Sequence, residues 1–337
     1  MNTTNTSTIL LGTSLFSFTV EWLSRRFTLD QLIEKVAELG VGPGLELVGF
    51  QSIRGFPAIS DEFVAHFRAL VERLGLQPTA LGGNIDLGRY PGRLMTMDEM
   101  ITTVAAQIEA ARKLGFPVLR IQLVGGEVLE KLVPIAERAQ VHLACEVHAP
   151  LTPSHPAVMA VRELCDRTGS PYLGLVLDFS CSMTSPPEGY WRRLRQVGAS
   201  DQLIKAVREI WHRDAPAPEK FTALAQAGQH YGAPPGTMGS VNLVMTMFGH
   251  MPVGAWREVL PYSRHLHGKF YHVDESGNEP AIPYPQIIAL LKESGYRGSI
   301  SAECEGSAFM DVQDAVQGVE FGEVQRWHAM VRRLLAA

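Results

Sequence analysis

The chain alternates between short apolar runs and longer stretches whose apolar residues recur at helical spacing. The runs, bounded by turn-forming residues, predict strands at 9–15, 45–49, 78–82, 118–123, 141–148, 173–179, 265–273 and 299–305. Among the first four, three helices are clearly written. Leu29, Leu32, Ile33 and Val36 fall at i, i+3, i+4 and i+7 behind Thr28 as N-cap, with Gln31 where a capping box requires it. Phe63, Phe67, Leu70 and Leu74 mark a second helix behind Ser60. Ile101, Val104, Ala105 and Ile108 mark a third behind Thr96, with Glu99 at the capping-box position. Gly40, Gly75 and Gly115 close the three, where a helix end calls for a left-handed backbone. Further helices are predicted over roughly 127–138, 156–167, 202–212, 218–228 and 285–294. Pro134 is expected to kink or delay the first of these, because proline has no N–H and its ring crowds the preceding turn.

Strands separated by helices cannot pair as hairpins, so the sheet is predicted to be largely parallel. Eight such units over this length fit a (β/α)8 TIM barrel. A doubly wound open sheet competes, but it would place a ligand near one switch point, and no GxGxxG or GxxxxGKS stretch follows any strand. Residues 1–337 read as a single barrel domain with one connection out of scale, 181–262, between strands six and seven. It holds at least two helices and then a Gly/Pro/Met-rich run, 233–251. An insertion of this length reads as a lid or a partner-binding element, or as an extra helical layer with no role of its own.

Composition narrows the class. Hydrophobic residues make up 46% and charged residues 19% of 337, which supplies a core and excludes a disordered chain. With 30 basic and 35 acidic residues the net charge is -5, offering no electrostatic grip on nucleic acid or anionic lipid. The apolar run 9–20 is interrupted by Thr13, Ser14, Ser17 and Thr19, carries no basic leader and is too short to span a bilayer. Cys145, Cys165, Cys181 and Cys304 show no CxxC spacing and read as reduced thiols of a cytoplasmic protein. On that reading the glycosylation sequons at Asn2 and Asn5 are accidental.

The active site of such a barrel lies at the C-terminal mouth, so the polar residues closing each strand carry the functional signal. The fifth strand ends with Glu146 and His148 and the sixth with Asp178; the seventh carries His265, His267 and Lys269, and the eighth Glu303 and Glu305. Alternation puts Glu146 and His148 on one face and Cys145 on the other, and likewise separates Glu303 and Glu305 from Cys304. Close carboxylates repel one another unless a proton or cation neutralises them. Glu146, Asp178, His267 and Glu303 are therefore the expected ligands of one divalent metal. Three carboxylates and an imidazole favour Mn²⁺ or Mg²⁺, with Zn²⁺ and Co²⁺ compatible. Each acid alone reads as an ordinary strand-end residue; their succession on neighbouring strands makes the case. His148, two residues past a ligand on the same face, is placed as a general base or as a hydrogen-bonded loop histidine. Lys269 suits oxyanion stabilisation, a Schiff-base nucleophile or a structural charge. Glu305 orients a ligand or forms a rim salt bridge. Glu46, Asn84 and Gln122, in or just after strands two to four, are candidates for binding substrate hydroxyls.

The chain as a whole resembles the xylose isomerase-like family of sugar isomerases and epimerases. In that family a Glu, an Asp, a His and a Glu from four consecutive late strands bind a divalent metal; the matching positions here are Glu146, Asp178, His267 and Glu303. A closer resemblance is carried by GPGLELVGFQSIRGFP at 42–57, EVHAP at 146–150, HGKFY at 267–271 and ECEG at 303–306. It is to the catalytic alpha subunit of bacterial C-glycoside deglycosidases. Where those relatives continue the matching Asp with Phe-Gly-Ser, this chain has Phe-Ser-Cys after Asp178, so substrate range is expected to differ.

The resemblance implies a sugar joined to a flavonoid-like ring by a carbon–carbon bond and oxidised beforehand to its 3-oxo form by a separate enzyme. It also implies a small beta subunit as obligate partner. The corresponding chemistry is a lyase-type elimination. The metal holds the C3 carbonyl oxygen, His148 removes the C2 proton, and the aryl group on C1 departs. The acid that protonates the departing carbon stays open among His272, Lys269 and the recycled His148, with His272 also counted among the substrate contacts. The same apparatus fits a metal-dependent sugar isomerase or ketose 3-epimerase. A non-catalytic sugar-binding barrel and a metal-dependent DNA-repair endonuclease are further readings, the last opposed by the net charge.

Overall fold

Every predicted apolar run becomes a strand: β1 (Leu10–Ser14), β2 (Gly44–Val48), β3 (Gln77–Gly82), β4 (Val118–Ile121), β5 (His142–Val147), β6 (Leu173–Asp178), β7 (Ser263–Phe270) and β8 (Ser299–Cys304). The computed structural model describes residues 9–309 and 320–337, so the Asn2 and Asn5 sequons lie outside the described residues. All neighbouring strands run parallel, in chain order, and β8 pairs back with β1 to close the barrel.

The helices that pack around it are α1 (Leu29–Glu38), α2 (Asp61–Arg73), α3 (Met97–Leu114), α4 (Gly126–Ala139) and α5 (Pro156–Thr168). Between β6 and β7 lie α6 (Glu188–Gln196), α7 (Asp201–His212), α8 (Ala217–His230) and α9 (Thr237–Met247). The last two are α10 (Tyr284–Glu293) and α11 (Glu320–Ala336). Both capping boxes form, Thr28 with Gln31 and Thr96 with Glu99. Gly40, Gly75 and Gly115 take φ of 65°, 66° and 85°, which an L side chain would resist. α4 starts at Gly126 and runs through Pro134 to Ala139, so the proline does not delay it.

The strands' two faces part company as the period of two requires. Leu47, Leu81, Leu119, Leu143, Leu175, Leu266 and Ile300 join the large apolar layer shared with the helices, as do Cys145 and Cys304. Ala80, Val118, Ala144 and Val176 form a separate small cluster. Two residues further along the same four strands stand Gly82, Arg120, Glu146 and Asp178. The barrel interior therefore has an apolar floor and a charged layer above it.

The 181–262 connection is more helical than expected: α6 and α9 add to the two helices read there. α9 buries Thr237, Val241, Val244 and Met245, and the Tyr190 hydroxyl of α6 donates to the Val241 carbonyl at 2.9 Å. Within the segment, the Trp256 indole N–H donates to Ser182 Oγ at 2.6 Å and so joins its late part to its first residues. Among the described residues, no helix is long and apolar enough to cross a membrane.

Candidate active site and metal centre

Strands β5 to β8 end side by side, and register decides what meets. Asp178 pairs with His267 across β6 and β7, and Lys269 pairs with Glu303 across β7 and β8. His267 is the hub. Its Nδ1 lies 2.6 Å from Glu146 Oε1, 3.5 Å from Glu303 Oε2 and 3.9 Å from Asp178 Oδ2. One donor atom from each of Glu146, Asp178, His267 and Glu303 lies within 4.8 Å of all the others. The structure thus brings together the four residues that the sequence marks as ligands.

The donor set fits a hard divalent cation. Asp178 Oδ1 accepts the Ser180 N–H at 2.6 Å, while its Oδ2 and Glu303 Oε2 are buried without a well-formed hydrogen bond and share the Lys269 ammonium as an ion-pair partner. Buried carboxylate oxygens that must share one cation are costly. Among the described residues, Glu46, Glu146, Asp178, Glu303 and Glu305 share this region with the fixed cations Arg120 and Lys269. Burial pushes the Asp178 carboxyl above its ordinary range, against the pull of Lys269. Burial would lower His267, but the charges of Glu303, Glu46 and Glu146 hold it well above the usual imidazole value. These shifts mark a place that gathers positive charge; a metal ion would exchange for protons there.

A second ring of contacts surrounds the four. Glu46 Oε1 lies 3.0 Å from His267 Nε2, and Glu46 Oε2 lies 2.9 Å from His265 Nε2. His265 Nδ1 reaches Ser299 Oγ at 2.7 Å. Glu46, His265 and His267 also form a triad close enough to hold a cation, but hydrogen bonds already join those donor atoms to one another. Lys269 Nζ lies 2.6 Å from Glu305 Oε1, 2.8 Å from Glu303 Oε2 and 3.3 Å from Asp178 Oδ2. Burial alone would lower its pKa; the three carboxylates raise it well above the ordinary value. A lysine held protonated in this way is a poor Schiff-base nucleophile and a good fixed positive charge. Arg120 NH1 stands 3.6 Å from Glu146 Oε2.

His148 lies just past β5, half-buried, with Nδ1 2.8 Å from the Ala149 carbonyl. A carbonyl accepts, so Nδ1 carries the proton, and in the neutral ring Nε2 is left with its lone pair. Burial opposes protonation of this ring, while Asp178 and Glu146 favour it and leave its pKa raised.

Other candidates have different surroundings. Glu46 is fully buried, with one oxygen held by His265 and the other by His267. The Gln122 amide donates to Asn84 Oδ1, and Gln122 Oε1 accepts the Ile85 N–H at 3.2 Å; the pair braces the loops after β3 and β4. His272 is largely exposed and bonds Glu323 of α11 at 2.7 Å. It lines a cavity of about 410 Å³ with Tyr271, Glu279 and Phe309. Glu305 meets Lys269, in keeping with a supporting role. The sequence reading passed over Arg120 and Ser299. For Arg120 a signal existed: a guanidinium within Val-Leu-Arg-Ile is buried only when an acid waits for it.

No family model matches the chain. Among curated proteins it is similar to a C-glycoside deglycosidase alpha subunit of Microbacterium trichothecenolyticum, 39% identical over 89% of this chain and 84% of the relative. A protein of the same description from Arthrobacter globiformis is 38% identical over 92% of this chain and 88% of its own length. A 3'-dehydrocarminate deglycosidase alpha subunit from Microbacterium sp is 33% identical over 96% and 94%. Among solved structures, D-psicose 3-epimerase from Clostridium cellulolyticum H10 matches with a TM-score of 0.60 at 15% identity, over 97% of this chain and 99% of that one. An L-ribulose 3-epimerase matches at 0.56 and 14%, over 98% and 95%. At such identities these structures speak for the barrel fold alone.

Proposed function

The chain belongs to the C-glycoside deglycosidase alpha subunit family, and from there we propose that it is a carbon–carbon lyase cleaving the C-glycosidic bond of 3-oxo-C-glycosides with flavonoid-type aglycones. The observation that carries the reading is the convergence of Glu146, Asp178, Glu303 and His267 Nδ1, with a base-ready imidazole on the same strand end. The name of the Microbacterium sp relative, a 3'-dehydrocarminate deglycosidase subunit, supports an oxidised substrate.

Glu146, Asp178, His267 and Glu303 would hold Mn²⁺ or Mg²⁺. Such an ion supplies Lewis-acid stabilisation of the negative charge that develops as a proton leaves carbon beside a ketone, worth several kcal/mol. The chain's own residues do the rest. A ketone at C3 acidifies the C2 proton, which His148 removes through Nε2. The C2–H electron pair becomes the C1–C2 double bond, and the C1–aryl pair leaves with the aryl carbon. That carbon takes up one proton, so the products are an unsaturated 3-oxo sugar and the free aglycone, and no water is consumed. His148, now imidazolium, and Lys269 are the acids at the cluster; His272 is engaged with Glu323. The charge of Lys269 favours the ionised forms of Asp178 and Glu303. Asn84, Gln122, Glu305 and His272 remain proposed contacts for substrate at the mouth.

A small beta subunit completes the enzyme on this reading, supported by the alpha-subunit names of the relatives. The single barrel domain extends over 1–337, and its 181–262 insertion serves as lid or partner contact. The cytoplasm is the proposed compartment, supported by four free thiols that are all buried.

The test is co-expression with a candidate beta subunit and assay on a 3-oxo-C-glucosyl flavone. Release of aglycone, lost on chelation and restored by Mn²⁺, is expected. A metal-dependent ketose 3-epimerase is the second reading, favoured by the same four-residue set. It predicts solvent deuterium entering carbon of free ketoses in heavy water, with no cleavage of the C-glycoside. Full lyase activity in metal-stripped protein would refute the proposed chemistry.

A further inference from the structure

We infer that Glu46 is a positioning residue: one carboxylate takes the Nε2–H of both His265 and His267, which commits Nδ1 of His267, unprotonated, to the divalent cation. The inference rests on the cation reading given above. A buried chain runs from Ser299 Oγ to His265 Nδ1 at 2.7 Å, from His265 Nε2 to Glu46 at 2.9 Å, and from Glu46 to His267 Nε2 at 3.0 Å. It crosses the barrel from β7 to β2 and back, and Glu46, His265 and His267 are all fully buried.

An ionised carboxylate offers acceptors only. Each imidazole must therefore bring an N–H to Glu46 at Nε2. A neutral imidazole has one N–H; once His267 spends it on Glu46, the lone pair stands at Nδ1, the nitrogen that faces Glu146, Glu303 and Asp178. His265 has the complementary task. By holding the other carboxylate oxygen it stops Glu46 from rotating, and Ser299, opposite it in the β7–β8 register, can donate to its Nδ1 in the same tautomer. A metal-binding histidine whose other nitrogen is fixed by a carboxylate binds more tightly, and loss of such a partner typically costs 10- to 100-fold in affinity.

The decisive experiment compares Mn²⁺ binding by calorimetry in the wild-type protein, Glu46→Gln and Ser299→Ala, with circular dichroism to confirm folding. A glutamine side chain replaces one acceptor oxygen by a donor NH2, so its two ends cannot each take an Nε2–H group, and one imidazole must move its proton to Nδ1. Glu46→Gln is expected to bind Mn²⁺ about 10- to 100-fold more weakly while folded. Ser299→Ala, which removes only the outermost link, should lose a few-fold at most. Affinity within about twofold of wild type in folded Glu46→Gln would overturn the inference and leave the cation reading standing. Wild-type protein that binds no Mn²⁺ would overturn both. Long-range ¹H–¹⁵N correlation on the Mg²⁺-loaded wild type decides the matter even where the variant does not fold. A proton on His267 Nε2 is expected; one on Nδ1 overturns the inference.

Discussion

Two layers of the barrel interior, two residues apart on the same four strands, obey opposite rules. Ala80, Val118, Ala144 and Val176 close the lower layer as a dry apolar floor. Gly82, Arg120, Glu146 and Asp178 begin the upper one, where carboxylates outnumber fixed cations. The backbone is the same in both, so side chains alone make one layer a core and the other a site. The floor excludes water and lowers the dielectric beneath the charges, which strengthens every interaction among them. Those charges in turn hold one another in place. Removing one leaves its partners buried and uncompensated.

The contrast is broken most severely by removing a ligand. Glu303→Gln or Asp178→Asn should abolish turnover by more than about 10⁴-fold, because both the Lewis acid and the geometry it fixes are lost. Metal analysis should show the ion gone from the purified variant. His148→Gln should lower turnover by about 10²–10⁴-fold with ion content unchanged. Retained turnover would take His148 out of the mechanism. A charge moved down one layer tests the floor. Val176→Asp buries a carboxylate with no partner and should cost about 3–5 kcal/mol in urea denaturation. A cost near zero would mean that the lower layer admits water.

The smallest effect concerns acid. His142, at the foot of β5, and His328, on α11, are buried; burial pushes their pKa values down to about 4 and about 3. The unfolded chain binds protons at the ordinary value of 6.5, while the folded chain stays neutral at these positions. Their stabilisation is therefore full above pH 6.5 and is lost progressively as pH falls towards 4 and then 3. His142→Leu should flatten that acid slope by an amount on the order of 3 kcal/mol at most, read from urea titrations between pH 7 and 4. An unchanged slope would show that His142 does not contribute.

Local signals were the legible ones. Apolar runs marked the strands, and Thr28 with Gln31 and Thr96 with Glu99 marked helix starts, because caps act over three residues. Strand parity placed Glu146, His267 and Glu303 on inward faces, and the order of strands made them neighbours. Less visible were properties that depend on contacts across the barrel. Glu46 reads as a strand-two acid open to substrate; that it meets two histidines more than 200 positions away is set by closure of the sheet. Helix α9 was hidden by the Pro-Pro-Gly run before it and by Gly239 within it, and burial of Val241, Val244 and Met245 helps hold it. Helix α11 escaped the sequence reading altogether, although its Trp327 stacks on Phe270 at 5.9 Å and helps close the barrel wall behind β7.

The proposed chemistry turns on a single cation at the top of that upper layer. The most direct measurement is anomalous diffraction from crystals grown with Mn²⁺. One strong peak is expected about 2.0–2.3 Å from His267 Nδ1 and from an oxygen of each of Glu146, Asp178 and Glu303. A map with no peak among these four side chains, or with the ion seated elsewhere, would contradict it.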